Sequence, residues 1–183
     1  VQENLPAVGS ISLTLKTLRT ETEIQFHEEP YDVFELDGQL IDDARVFEML
    51  ASIRLRSGRN DHFKVSSTNF VPTAAGLASS ASGAAALVSA AWTLCTDSTD
   101  YAPITDIIRK GSGSAPRSLL GGLVELDRLS GSVTQLSRPS RWPLSMIVAQ
   151  LTDGPKHISS RKGMAATQAT SPYYQAWTDA HPA

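Results

Sequence analysis

Pro72-Thr73-Ala74-Ala75-Gly76-Leu77-Ala78-Ser79-Ser80-Ala81-Ser82-Gly83 is the stretch on which the reading of this chain turns. A run of small residues leads directly into an apolar helical pattern over residues 84–94. A helix that begins this way aims its unpaired backbone N–H groups, and the positive end of its dipole, at one spot. A phosphate is the usual occupant of such a spot. Gly76 lacks the Cβ that would hold the backbone at a distance. Ser79 and Ser80 add hydroxyls suited to a phosphate oxygen or a Mg²⁺ ion. No Gly-Lys-Ser/Thr follows Gly76, so this is not a Walker A loop. Standing alone, a Ser-Ser-Ala start would be read as an ordinary helix cap.

Residues before the loop read as a strand, Phe63 to Asn69, that feeds it. Further out, Val8 to Leu15 alternates small or polar with apolar residues, the mark of a half-buried strand. Thr20 to Phe26 and Tyr31 to Leu36 read as two more, with turns at Glu29-Pro30 and Asp37-Gly38. Val46, Phe47, Leu50, Ile53 and Leu55 give Asp42 to Arg56 a helical spacing. On the C-terminal side, Ile104 to Lys110 predicts a helix stopped by Gly111. Gly121 to Leu126 and Ser145 to Leu151 read as strands, and the polar stretch Ser130 to Ser140 as a loop or hairpin tip. Ser159 to Thr170 and Ser171 to Trp177 read as helices. Strands and helices mixed in this order predict a two-layer α+β domain.

The chain has 183 residues, 41% apolar and 19% charged, enough for one sizeable core and too apolar for disorder. A net charge of -3 carries no nucleic-acid footprint. Arg109, Lys110 and Arg117 cluster, as do Lys156, Arg161 and Lys162, which fits a small anionic ligand; taken singly, each cluster is a solvated helix face. The one cysteine, Cys95, excludes an internal disulfide and reads as a small buried residue. The apolar stretch around Ala84 to Cys95 is too short to span a bilayer, and no signal peptide is visible, so a cytoplasmic location is expected. The chain opens on Val1 rather than Met, which suggests that its true N-terminus is missing. His27, His62, His157 and His181 pair at no ligand spacing.

A second loop, Gly111-Ser112-Gly113-Ser114-Ala115-Pro116-Arg117-Ser118-Leu119, places two hydroxyls and a guanidinium within a few residues. Arginine suits bidentate recognition of phosphate or carboxylate, although Gly-Ser-Gly-Ser alone is commonly a flexible turn. A third segment, Ile158-Ser159-Ser160-Arg161-Lys162-Gly163-Met164, again sets hydroxyl and guanidinium donors at a helix start, or is a simple cap.

Pro-x-x-x-Gly-Leu-x-Ser-Ser-Ala resembles the phosphate loop of the GHMP small-molecule kinase superfamily. The wider string from Asn69 to Ala81 resembles its diphosphomevalonate decarboxylase branch, where Thr-Ala-Ala-Gly-Leu-Ala-Ser-Ser is typical. The second loop is similar to that family's Gly-Ser-Gly-Ser-Ala-Cys-Arg-Ser-Leu, with Pro116 in place of Cys and Leu120 in place of an aromatic residue. The third resembles its Val-Ser-Ser-x-x-Gly-Met segment. Asn4-Leu5-Pro6-Ala7-Val8-Gly9-Ser10-Ile11-Ser12-Leu13-Thr14 resembles its Asn-Leu-Pro-x-x-x-Ser-Ile-Ser opening, so four segments match in order.

The resemblance implies a GHMP-kinase fold with a ribosomal-S5-domain-2-like, two-layer N-terminal domain, its C-terminal half largely absent here. Residues 1–183 are then one ATP- and substrate-binding N-terminal domain, with 156–183 starting the C-terminal part. The implied reaction is ATP-dependent decarboxylation of 5-diphosphomevalonate to isopentenyl diphosphate, with Mg²⁺ on the nucleotide. Pro72, Ala75, Gly76, Leu77, Ala78, Ser79 and Ser80 are the implied ATP contacts, with Ser80 the weak candidate for Mg²⁺ through ATP. Ser112, Ser114 and Arg117 are the candidate catalytic residues, Arg117 also orienting the substrate. Ser160 and Arg161 would face its diphosphate. The family's Tyr-Trp-Gly-Lys lysine and Phe-Asp-Ala-Gly-Pro aspartate have no counterpart in the 183 residues, and Asp153-Gly154-Pro155 is rejected as that motif, so an incomplete enzyme is expected. A homodimer, with neither nucleic acid nor membrane as partner, completes the expectation. The alternatives are a phosphomevalonate decarboxylase or mevalonate 3-kinase on the same scaffold, a nucleotide-binding module without catalysis, or a purely structural domain.

Overall fold

Alternation and helical spacing translate into strands and helices in a mixed order. β1 (Ser10–Leu13), β2 (Thr20–His27), β3 (Val33–Leu36) and β4 (Gln39–Leu40) precede α1 (Ala44–Ser57). β5 (His62–Asn69) leads to α2 (Ser79–Thr96), and α3 (Thr105–Gly111) comes next. A 3-10 turn over Ala115–Leu119 precedes β6 (Leu123–Leu126) and β7 (Val133–Ser137); α4 (Ser160–Thr170) and α5 (Tyr174–Ala180) come last. The computed structural model describes residues 6–71, 79–141, 144–147, 158 and 160–181, the side chains of 160 and 161 excepted.

Four strands form one sheet in the order β2-β5-β3-β4. β5 buries Phe63, Val65 and Ser67 and exposes Lys64, Ser66 and Thr68. Its antiparallel register sets Phe26, Ile24 and Thr22 of β2 opposite those buried residues, and hence on the same face. α2 packs across that face against β2 and β5, with α1 and α3 beside it. α1 buries Val46, Met49, Leu50 and Ile53, one stripe of an amphipathic helix. The Asp43 carboxylate accepts from Arg45 N–H at its start, and Gly58, at φ 72°, ends it in the left-handed conformation that glycine tolerates. Alanines Ala81, Ala84, Ala85 and Ala91 let α2 sit close to its neighbours. Leu50, Ile53, Phe63, Val65, Val88, Ile104 and Ile108 are almost wholly buried, each contributing about 1.5–3 kcal/mol. Cys95 is buried as expected, and burial pushes its thiol pKa up.

The second sheet is antiparallel in the order β1-β6-β7. Its register pairs Ser10 with Leu126, Ser12 with Val124 and Ile11 with Glu125. Val124 and Leu126 are buried, so Ser10 and Ser12 lie on the inner face, while Ile11 is 63% exposed. The strand is where the alternation predicts it, but its apolar side is not the buried one.

Three expectations are corrected. Ser130–Ser140 is not a loop throughout, because it contains β7. β7 is an edge strand with Thr134, Gln135 and Leu136 exposed, so no apolar face betrays it. The strand read over Ser145–Leu151 is not present at residues 144–147, which are exposed and in no regular element; residues 148–151 lie outside the described residues. The last helix begins at Tyr174, not Ser171, because Ser171 to Tyr173 form the turn that enters it. Among the described residues no helix is long and apolar enough to cross a membrane.

Candidate phosphate and substrate site

The site is built around the start of α2. Pro72, Ala75, Gly76, Leu77 and Ala78 lie outside the described residues. Ser79 and Ser80 open the helix, Ser79 half-buried and Ser80 exposed. No acidic residue stands in its first turn to neutralise the dipole. Ser82 and Ser89 spend their hydroxyls locally: Ser82 Oγ accepts from Thr20 N–H at 2.8 Å, and Ser89 Oγ donates to the Ala85 carbonyl at 2.6 Å. Among the described residues the hydroxyls of Ser79 and Ser80 make no hydrogen bond.

α3 delivers the Gly-Ser-Gly-Ser turn to the same region. A Cβ on Gly111 would lie 3.4 Å from Ala84 Cβ and 2.2 Å from Met49 Sδ. Any larger residue here would have to displace the buried Met49 side chain where α3 ends against α1 and α2. Ala84 lies four residues beyond Ser80, about 6 Å of helix, so this turn sits roughly one helical turn from the start of α2. Ser112 caps α3 through its N–H to the Ile108 carbonyl, 3.0 Å, and its own carbonyl accepts from Ala115 N–H at 2.9 Å. Its backbone is committed, whereas the hydroxyls of Ser112 and Ser114, both half-buried, bond to no other described residue.

The 3-10 turn then aims Arg117. Ala115 and Pro116 are fully buried and anchor the turn against α2. Proline fits here because the first turn of a helix leaves its N–H unpaired in any case. Arg117 Nη1 donates to Ser10 Oγ at 2.6 Å across 107 residues of chain. Burial pulls the Arg117 pKa down, and among the described residues no carboxylate pairs with it. Gly122, at φ 83°, makes the next turn; a Cβ there would meet the Ser137 carbonyl oxygen at 2.0 Å. Thr14 ties β1 to this segment through Oγ1 to the Leu120 carbonyl and N–H to the Gly122 carbonyl, both 2.9 Å.

The basic cluster of the sequence is divided in space. Arg109 is buried at 6% exposure, and Lys110 lies 3.9 Å from Asp106. Ser160 heads α4, and the side chains of Ser160 and Arg161 lie outside the described residues. Ser10 is the site residue that residue-by-residue reading missed. The signal available was its place in the serine-rich opening of β1, without any hint of which face it takes.

A second polar cluster occupies the opposite end of the four-stranded sheet. Asp32, 6% exposed in its side chain, accepts Arg54 Nη1 on both carboxylate oxygens at 2.8 Å and Phe63 N–H at 2.9 Å. His62 Nδ1 lies 3.3 Å from Oδ1 without the alignment of a hydrogen bond. Asp32 precedes β3 and His62 begins β5, whereas α2 comes after the other end of β5, about 25 Å away along eight residues of strand.

Chemically, the α2 end offers a helix terminus together with hydroxyls and a guanidinium that find no charged partner among the described residues, a set that suits an anion. Among the described residues no group of three or more His, Cys, Asp or Glu could hold a metal ion.

Residues 1–136 match the family model of the diphosphomevalonate decarboxylase-like N-terminal domain. The chain is 38% identical to diphosphomevalonate decarboxylase of Candida albicans over 92% of its own length and 53% of the relative's. It is also 38% identical to that of Saccharomyces cerevisiae over 94% of its length and 50% of the relative's. It thus spans about half the length of these curated relatives. Mevalonate diphosphate decarboxylase from Enterococcus faecalis superposes with a TM-score of 0.77 at 34% identity, covering 98% of this chain and 57% of that one. MDDEF in complex with MVAPP, AMPPCP and magnesium superposes with the same TM-score, 0.77, at 35% identity, covering 98% and 58%.

Proposed function

The chain belongs to the diphosphomevalonate decarboxylase-like family, and on that premise we propose that it is the nucleotide- and substrate-binding N-terminal part of an ATP-dependent decarboxylase acting on 5-diphosphomevalonate. The products would be isopentenyl diphosphate, ADP, phosphate and CO₂. Residues 1–183 form that part, with 156–183 beginning the C-terminal part. The observation that carries the reading is Arg117: a half-buried guanidinium whose described partner is a neutral hydroxyl, set beside uncommitted serines near a helix start.

The donor set fits a nucleotide with its metal. The start of α2 carries no acidic residue, and Ser79 and Ser80 leave hydroxyls for phosphate oxygens, Ser80 being the one that would reach a nucleotide-bound Mg²⁺. When bound, Mg·ATP supplies the phosphoryl group for the tertiary 3-hydroxyl and, with the metal, offsets charge on the phosphates. The chain's own task is to hold anions rigidly while positive charge develops at C3. Ser112 and Ser114 donate to phosphate oxygens. Arg117 orients the carboxylate or the transferring phosphate by its planar fork. Ser160 and Arg161 bind the diphosphate tail. Fixed N–H groups, hydroxyls and a guanidinium achieve this without reorganising during the reaction. The same reading carries the expectation of a cytoplasmic homodimer that binds no nucleic acid, in line with the net charge of -3.

Steady-state turnover of the full-length protein tests the reading, with ADP, CO₂ and product phosphorylation measured together. Isopentenyl diphosphate with one CO₂ per ADP is expected. An isoprenoid monophosphate would mean a phosphomevalonate decarboxylase, ADP without CO₂ a 3-kinase, and neither product a binding module.

A further inference from the structure

We propose that Ser10 is a positioning residue for Arg117: its hydroxyl fixes the guanidinium tip and leaves its charge available for the anionic substrate. The inference rests on the role of Arg117 given under Proposed function.

β1 is a rigid mount. Its register with β6 is fixed from Ser10 to Leu13, Ser12 Oγ donates to the Val124 carbonyl at 3.3 Å, and Thr14 makes two further bonds to the segment after Arg117. The inner face of that strand holds Ser10 where an apolar residue would be ordinary, while Ile11 faces outward at 63% exposure. A buried-side hydroxyl in place of an apolar side chain is costly unless it is bonded, and the bond it makes is with Arg117 Nη1. Among the described residues Arg117 has no other hydrogen bond and no ion pair. Its backbone is held by buried Ala115 and Pro116, but its long side chain would sample several rotamers without a tether.

Ser10 is suited to this role by what it lacks. A carboxylate at the same place would hold the guanidinium as firmly and neutralise it. A hydroxyl orients without neutralising. With Nη1 tied to Ser10, the Nε–Nη2 edge is the fork left for a carboxylate or phosphate.

A double-mutant cycle in the full-length protein tests this, with kinetics against 5-diphosphomevalonate and thermal melting. Ser10→Ala should lower kcat/KM for that substrate about tenfold, with KM for ATP and Tm nearly unchanged. The same change in an Arg117→Ala background should cost nothing further. Ser10→Thr should retain most activity, and Ser10→Asp should lose more than Ser10→Ala by closing the guanidinium. Hydrogen exchange of the Arg117 guanidinium, measured by NMR, gives a readout apart from turnover: slow in the wild type and fast in Ser10→Ala. Equal losses in both backgrounds, or identical exchange in wild type and Ser10→Ala, would overturn the proposal. A wild type that exchanges slowly yet turns over no diphosphomevalonate defeats the functional reading instead, and with it the role of Ser10 toward substrate.

Discussion

Arg54 and Arg117 are both partly buried, and the contrast between them separates the two ends of this molecule. Arg54 Nη1 spans both oxygens of Asp32, a carboxylate further engaged by the Phe63 amide. Its guanidinium also lies 5.6 Å over the Phe63 ring. That charge is fully answered within the fold, tying α1 to the starts of β3 and β5. Arg117 has for its described partner the Ser10 hydroxyl. Among the described residues no counter-ion offsets its desolvation, which leaves charge that a ligand can answer. The lesson is that burial of an arginine does not itself mark a site; the formal charge of its partner does.

The strongest way to break this contrast is to exchange the consequences. Arg54→Ala should destabilise the fold by about 3–5 kcal/mol, because it leaves the buried Asp32 charge uncompensated. Urea unfolding would show it, while the folded fraction keeps its substrate affinity. A stability loss below about 1 kcal/mol would show Asp32 to be less closed than its partners indicate. Arg117→Ala should do the reverse. We expect a loss of about 10²-fold in kcat/KM with Tm little changed, and only partial recovery in Arg117→Lys, which lacks the planar fork. An Arg117→Ala variant that unfolds like Arg54→Ala would erase the distinction.

Smaller effects sharpen it. Ser80→Ala in the full-length protein should lower kcat more than it lowers stability, since losing a cap costs about 1 kcal/mol and this hydroxyl caps nothing described. Unchanged kcat and nucleotide affinity would return Ser80 to a structural role. The least effect is electrostatic and lies at the surface. Arg56 bonds hold the Asp106 carboxyl below its ordinary pKa, as Arg45 does for Asp43. A depressed folded pKa stabilises above the unfolded value and is lost as pH falls through the folded one. The stability gap between wild type and Asp106→Asn should therefore be present at neutral pH, about 0.2–1 kcal/mol, and close below pH ~4. A gap that persists into acid would assign it to something other than the ion pair.

Local signals account for much of the fold. The Val46, Leu50 and Ile53 spacing announces α1, and Gly58 ends it where a left-handed cap is required. The strand read over Phe63 to Asn69 is β5, His62–Asn69, with Phe63, Val65 and Ser67 buried. β7 escaped because an edge strand needs no apolar face, and residues 145–147, where a strand was read, are exposed and in no regular element. In the candidate site, Ser79, Ser112 and Arg117 stand out as candidates in their strings, whereas Ser10 could not be given a task.

What the sequence determined by itself is local or strictly ordered along the chain: the helix start after the small-residue run, the alternating strands, and the order of strings that marks the family. What only the tertiary structure decided is sidedness and meeting. Whether Ser10 or Ile11 faces the interior depends on the β1–β6 register, and a slip of one residue would reverse it. That register is set by pairing with residues more than a hundred positions away, as is the contact with Arg117. No short window of sequence contains both partners, so the neutral tether that leaves this arginine its charge exists only once the chain has folded.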